Sequence, residues 1–360
     1  MAIEWLAGNR LRGTSTERTS TSGFSTTTAI EGGWKEVGRT TLGSDTSTID
    51  VSSLSDKRYY MILADYNISS GNGNPYLRLN SDTSQSYALR YSGNGGADST
   101  GVSNTDRGFY ASVSGYNTLP YFEVNYFANK STKEKIGIGY TAHQNTAGAG
   151  NTPNRAERAM KHVQTSNPIT SVNYWNQSGS GNFASGSEVV VLGYDPDDTH
   201  TDNFWEQLAD VSLSSTSDTL SSGTITAKKY LWVQYYTKNS GNVETKCRFN
   251  SDSGSNYAFR WSEDGGSDVT YTSQTECDRW IFASKPSFRN FFIVNNASNE
   301  KLITGHVMSP NTAGAGTAPA RAEFASKWTN TSDQITNITV NNTGTGDMDT
   351  GSFIKVWGSN

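Results

Sequence analysis

The sequence predicts an all-β chain: two tandem, homologous β-sandwich or jelly-roll domains behind an extended N-terminal arm. Three observations carry that expectation. The chain repeats itself once along its length, its apolar runs are short and rich in β-branched and aromatic residues, and its turns draw on 35 glycines against 8 prolines.

The repeat is direct. NSDTSQSYALRYSGNGG, from Asn80 to Gly96, matches NSDSGSNYAFRWSEDGG, from Asn250 to Gly266, at an offset of 170 without a gap. NTAGAGNTPNRAE, from Asn145 to Glu157, matches NTAGAGTAPARAE, from Asn311 to Glu323, at an offset of 166. Further blocks follow in the same order. Trp34 matches Trp205, Arg58-Tyr59-Tyr60 matches Lys229-Tyr230-Leu231, Glu134-Lys135-Ile136 matches Glu300-Lys301-Leu302, and Gly186-Ser187 matches Gly351-Ser352. Colinear blocks at drifting offsets describe a duplicated domain with small loop insertions. Units of about 160 residues are each long enough to hold a core, unlike solenoid repeats. The expected units are residues 34–196 and 197–360. The join, Asp195-Pro196-Asp197-Asp198-Thr199-His200-Thr201-Asp202, is polar and proline-bearing, as linkers are. It lacks the glycine and terminal glutamate of an EF-hand loop, so it reads as a linker rather than a calcium site.

Residues 1–33 stand outside the repeat. After an apolar tip of Ile3, Trp5 and Leu6 comes a Ser/Thr/Arg tract in which Phe24 is the one sizeable apolar side chain. Such a segment cannot form a core alone, and the expectation is an arm that orders by docking on a neighbouring chain.

Within the units, strands are expected at Tyr60 to Leu63, Tyr87 to Tyr91, Tyr121 to Phe127, Val189 to Leu192, Leu231 to Tyr236, Phe291 to Val294 and Phe353 to Trp357. In the last, Phe353, Lys355 and Trp357 share one face and Ile354 and Val356 the other. Asn94-Gly95, Gly95-Gly96 and Asp264-Gly265 supply turns between runs. RAERAMKHV, from Arg155, looks helical by itself. Its counterpart RAEFASKW, from Arg321, alternates as a strand does, and matched segments share one structure, so both are expected to be strands.

Composition excludes several function classes. Net charge is −5 without long like-charged runs, which leaves no electrostatic footprint for nucleic acid. No apolar stretch approaches the roughly 18 residues of a membrane-spanning helix, and Met1 to Gly8 lacks the pattern of a secretory leader. Triplets such as Asn67-Ile68-Ser69 and Asn337-Ile338-Thr339 therefore carry little weight as glycan acceptors. Aromatic residues make up 11% of the chain, which argues against disorder despite the Ser, Thr, Asn and Gly content. Cys247 and Cys277 have no zinc-ligand partners at the usual spacing. They could pair, although reduced thiols are the expectation for a protein made in the cytosol.

Chemistry is sparse. None of the four histidines is matched across the repeat: His143 aligns with Ser309, His162 with Trp328 and His306 with Tyr140, and His200 lies in the join. Matched charged groups are Asp82 with Asp252, Arg90 with Arg260, Asp98 with Asp268, Glu134 with Glu300, Arg155 with Arg321, and Glu157 with Glu323. The expectation is structural: side-chain turns at Asp82 and Asp252, and charged pairs at Arg155/Glu157 and Arg321/Glu323. Gly148-Ala149-Gly150 lacks the Lys-Ser/Thr of a phosphate loop and is read as a flexible hairpin tip. No nucleophile elbow or paired CxxC occurs. The sequence points to no catalytic, cofactor-binding or metal-binding residue and marks no receptor-binding residue. Trp175, Trp261 and Trp280 are the candidates for stacking on sugar rings, each with core or interface packing as the plainer reading.

GRTTLGSDTSTIDVSSLSDKRYYMIL from Gly38, NSDSGSNYAFRWSEDGG from Asn250, EKLITGH from Glu300 and NTAGAGTAPARAEFASKW from Asn311 resemble a family of modules in tailed phages and in environmental, especially marine, viral genomes. The opening AIEWLAGNRLRG resembles the start of such proteins. The resemblance covers both units. It implies a concanavalin-like or jelly-roll sandwich in a virion component: a head decoration, head fibre or tail protein, non-enzymatic, partnered by other virion proteins and copies of itself. A carbohydrate-binding adhesin or tail-fibre module is the alternative, with host-surface glycan as partner. Behind these stand a major capsid subunit and a glycan depolymerase.

Overall fold

A computed structural model describes residues 30–31, 33–69, 73–102, 108–110, 120–144, 146–177, 181–196, 198–200, 203–279, 285–310 and 312–360; at residues 30, 31, 199 and 200 it describes the backbone alone. The N-terminal arm and Trp280 lie outside this set. Among the described residues there is no helix, and every strand pairing is antiparallel. No helix is therefore long and apolar enough to cross a membrane.

An eight-stranded sheet runs, in spatial order, Lys35–Thr41, Glu188–Tyr194, Tyr59–Tyr66, Tyr121–Ala128, Lys135–His143, Asn154–His162, Tyr87–Gly93 and Ser99–Val102. A second has the order Glu206–Ser212, Phe353–Ser359, Tyr230–Thr237, Ser287–Val294, Lys301–Ser309, Ala320–Trp328, Tyr257–Glu263 and Val269–Gln274. Strand for strand, the matched sequence blocks occupy the same places. A smaller sheet covers one face of each. The first is ordered Thr48–Val51, Val172–Asn176, Pro75–Leu79, Phe109–Tyr110, and the second Thr219–Thr224, Asn337–Asn342, Thr245–Phe249. The backbones of Ile30 and His200 also pair, which ties the start of the described chain to the join.

Each large sheet packs on its small sheet as a β-sandwich. In the first half Ile62, Tyr66, Val189 and Val191 of the large sheet meet Ile49, Leu77, Val172 and Tyr174 of the small one. In the second half Val233, Phe291, Ile303 and Val356 meet Leu220, Phe249, Ile338 and Val340. Burial alternates where one face of a strand is wet, as on Phe353–Ser359, where Ile354 and Val356 are buried and Phe353, Lys355 and Trp357 are half-buried. The two RAE segments are strands that pair with Lys135–His143 and Lys301–Ser309 in matching registers.

The expected side-chain turns are present. Asp82 Oδ1 accepts from the Ser84 N–H at 2.8 Å, and Asp252 Oδ1 from the Gly254 N–H at 2.8 Å. Their second oxygens explain two residues that did not match in sequence. His162 Nε2 lies 2.9 Å from Asp82 Oδ2, and Trp328 Nε1 lies 2.7 Å from Asp252 Oδ2. Two different rings hold one turn. Burial raises both carboxyls, but the hydrogen bonds they accept outweigh it and hold both below the usual range.

Two buried ion pairs were not legible as such in sequence. Glu123, fully buried, accepts from Arg158 at 2.8 Å and bonds Tyr66 and Asn125. At the matched position of the second half stands Arg289, also fully buried, 3.0 Å from Asp278, whose other contacts are Tyr235 Oη and the Cys247 N–H. Cys247 and Cys277 are free, buried neighbours, with the Cys277 N–H donating to the Cys247 carbonyl at 2.9 Å.

Candidate assembly interface

The two halves meet through the outer faces of their large sheets. The outer face of each large sheet, away from its own small sheet, carries apolar side chains. One end of the first face packs on the opposite end of the second. Met61, Leu63, Phe122, Val124, Ala142, Val190 and Leu192 contribute from the first half; Phe204, Trp205, Tyr230, Phe292, Val294 and Leu302 contribute from the second.

Polar groups frame this apolar contact. Arg155 holds Asp268 in bidentate fashion, Nε 3.1 Å from both carboxylate oxygens and Nη2 2.7 Å from Oδ1. Its side chain is 6% exposed and that of Asp268 1%. Glu157, the expected partner of Arg155, is also in place at 3.2 Å, and it lies 3.6 Å from His306, which packs edge-on against Tyr140. At another corner Lys229 reaches Asp65 and Glu188 at 3.1 Å each, and Tyr230 Oη donates to Glu188 at 2.9 Å. Burial raises the Glu188 carboxyl, but Lys229, Thr41 and Arg39 more than offset that and hold it down. Asp65, wholly buried, is pushed up in spite of Lys229.

The loop read as a flexible hairpin tip is instead a docked element. Gly148 N–H donates to Glu300 Oε1 at 2.6 Å, Ala149 carbonyl accepts from the Ser273 N–H at 2.7 Å, and Thr146 carbonyl accepts from Lys327 Nζ at 2.7 Å. Gln144 also bonds Glu300. The glycines permit it: Gly148 has φ +86°, a left-handed conformation that costs glycine nothing. Sequence reasoning missed the docking because a Gly-Ala-Gly tip carries no side chain to announce a partner. Gly95, at φ +70°, lies against the backbone and side chain of Asp268, so that approach also requires glycine.

The other sequence candidates are placed as follows. Trp261 is buried and stacks on Phe324. Trp175 is half-buried with the Arg78 guanidinium 3.8 Å over its ring. His143 is fully buried, stacked on Tyr121, and burial pushes it down to about 4. Arg321 pairs with Glu323 as expected. In the join, Asp195 lies 3.4 Å from Arg58 and Asp198 2.6 Å from Lys57, while Asp197, Thr201 and Asp202 lie outside the described residues. Among the described residues no group of three or more His, Cys, Asp or Glu side chains is placed to hold a metal. A polar groove of about 430 Å³ in the second half gathers Glu244, Glu263, Glu276 and Asp278 around Tyr271 and Arg279. Its acids are partly spoken for: Glu276 pairs with Lys246 at 2.8 Å, and Asp278 with Arg289.

No family model matches the chain, and no curated protein matches it. Among solved structures it is similar to domains LG4-5 of the mouse laminin alpha1 chain, at 9% identity and TM-score 0.19 over 90% of each chain. It is also similar to the LG1-3 region of the laminin alpha2 chain, at 9% identity and TM-score 0.21 over 90% of this chain and 61% of that one.

Proposed function

We propose that this chain is a non-enzymatic structural protein of a virion surface, made of two tandem copies of one jelly-roll sandwich and working by assembly and display. The single observation that supports assembly is the interface just described. An apolar centre framed by desolvated, bidentate charge is the anatomy of a protein–protein contact, here formed within one chain. The virion assignment rests on the resemblance of the repeated blocks to phage and marine viral modules. On this reading residues 1–33 anchor the chain to the particle and the sandwich loops face outward, where many weak contacts add through effective concentration. Counting copies per purified particle tests the reading: a decoration or fibre protein is present in a fixed symmetric number, and absence from the particle refutes it. Deleting residues 1–33 is expected to leave soluble, folded sandwiches that no longer attach.

A second reading, a carbohydrate-binding adhesin, is favoured by the polar groove beside Tyr271, whose carboxylates could accept from sugar hydroxyls, although the Tyr271 ring itself is stacked on Phe259 with the Arg279 guanidinium over it. A glycan array separates it from pure decoration. Reducing-sugar release from host polysaccharide would instead indicate a depolymerase confined to the second half, because Glu263 has Gly93 as its counterpart.

A further inference from the structure

The interface between the halves is head-to-tail, and positions matching each of its two mating surfaces recur uncovered on the other half. On the second half the mated surface includes Tyr230, Leu302, Thr304 and Asp268. The matched residues of the first half are Tyr59, Ile136, Ile138 and Asp98. Tyr230 and Leu302 are 0% exposed and Thr304 5%, whereas Tyr59, Ile136 and Ile138 are 41%, 59% and 48% exposed. The Asp268 side chain is 1% exposed and that of Asp98 52%. The same holds in reverse. Ala142 and Arg155 of the first half are buried in the junction, while their counterparts Met308 and Arg321 are 49% and 60% exposed.

These exposed residues are not scattered. Tyr59, Ile136 and Ile138 join Trp34, Tyr126 and Tyr194 around an apolar groove of about 440 Å³ on the first half. Trp34 and Tyr126 match Trp205 and Phe292, both buried in the junction. On the second half Met308 lies opposite Phe288, which in turn lies opposite Tyr236; Tyr236 stacks on Phe353, and the two occupy the places of Asp65 and Glu188. The counterparts of Tyr59, Tyr126, Ile136 and Trp34 are buried in the junction. The tail keeps apolar Phe288 and Met308 at the places of Phe122 and Ala142, with Gln234, Asn290 and Lys355 replacing Leu63, Val124 and Val190, so groove and tail can meet in the arrangement that already joins the two halves.

We infer that a second copy of this chain is the groove's occupant. The Met308/Arg321 surface of one molecule docks on the Tyr59/Ile136/Ile138 groove of the next, with Arg321 facing Asp98 as Arg155 faces Asp268. The contact is heterologous, so it closes into a ring or runs on as a filament according to the angle between halves. This deepens the assembly part of the proposed function and rests on that part alone; the place on a virion is independent of it.

Sedimentation velocity of the full chain over a concentration series tests it. The wild type is expected to associate, and the double substitution I136D/I138D to weaken association by about 100-fold, as loss of a central apolar anchor does. D98R alone and R321D alone are each expected to weaken it at least about tenfold, with the D98R/R321D double variant restoring it. An I136D/I138D chain mixed with an M308D chain is expected to stop at a one-to-one dimer, since only one good groove and one good tail remain. Circular dichroism of each variant checks that a loss of association is not a loss of fold. A wild type that remains monomeric at concentrations on the order of 100 μM, or association indifferent to these variants, overturns the proposal. So does association seen only after residues 1–29 are removed, because the groove would then belong to the chain's own amino-terminal segment. None of these results changes the copy-number test for the virion.

Discussion

Substitution of Arg155 by alanine separates a desolvated charge pair from its exposed twin. Arg155 makes three hydrogen-bond contacts to Asp268 within 3.1 Å, with both side chains almost fully buried. Removing one member of such a pair leaves the other charge buried without its main partner, which typically costs about 3–5 kcal/mol. Arg260 remains 3.8 Å from Asp268 and offsets part of the loss, so the lower end, about 3 kcal/mol, is expected. Arg321 occupies the matched position, but its side chain is 60% exposed. The side chain of its partner Glu323 is 4% exposed, so replacement of Arg321 by alanine is expected to cost about 1 kcal/mol, well below the cost of R155A. Urea unfolding of the two variants under identical conditions reads the difference. A cost below about 1 kcal/mol for R155A, or equal costs for both, would refute the argument that the junction is a desolvated interface.

Acid should weaken the fold partly through His143. Its folded value of about 4, set by burial, lies below the ordinary 6.5, so between those values the unfolded chain binds more protons and stability falls as pH falls, by up to about 3 kcal/mol for this group. His143→Phe, which keeps the stack on Tyr121, should flatten that part of the pH–stability curve; an unchanged slope would count against it. Burial pushes the Cys247 and Cys277 thiols up, so both should react with a thiol reagent at least about 100-fold more slowly in the native protein than in urea. Fast native labelling would contradict their placement. A methyl group added at Gly305 would strike Phe291, and at the matched Gly139 it would strike Asn125. G305A and G139A are each expected to cost about 1–3 kcal/mol in thermal or urea unfolding, and a neutral result at either would show that the strands can part.

Much of the fold was readable from residues alone. The alternation in Phe353 to Trp357, the turn chemistry at Asp82 and Asp252 and the strand assignment of both RAE segments follow from spacing and from matching one copy against the other. The interface was not readable, because matched residues of similar chemistry have opposite fates. Ile136 and Leu302 are both aliphatic residues on the same strand position, yet one is exposed and the other buried. Period-two patterning reports which face a side chain takes, not what lies across from that face. Glu123 and Arg289 were likewise hidden, although a charge inside the run Tyr121 to Phe127 was a signal that a partner must be waiting within.

The opposite signs of Glu123 and Arg289 carry a consequence for how the polypeptide reaches its native state. Tandem modules of kindred sequence are prone to trade strands while they fold. Were Ser287–Val294 to slip into the berth of Tyr121–Ala128, Arg289 would confront Arg158; in the reciprocal error, Glu123 would confront Asp278. Each mistaken exchange entombs two like charges, so the inverted pairs act as a proofreading key that keeps the twin modules apart.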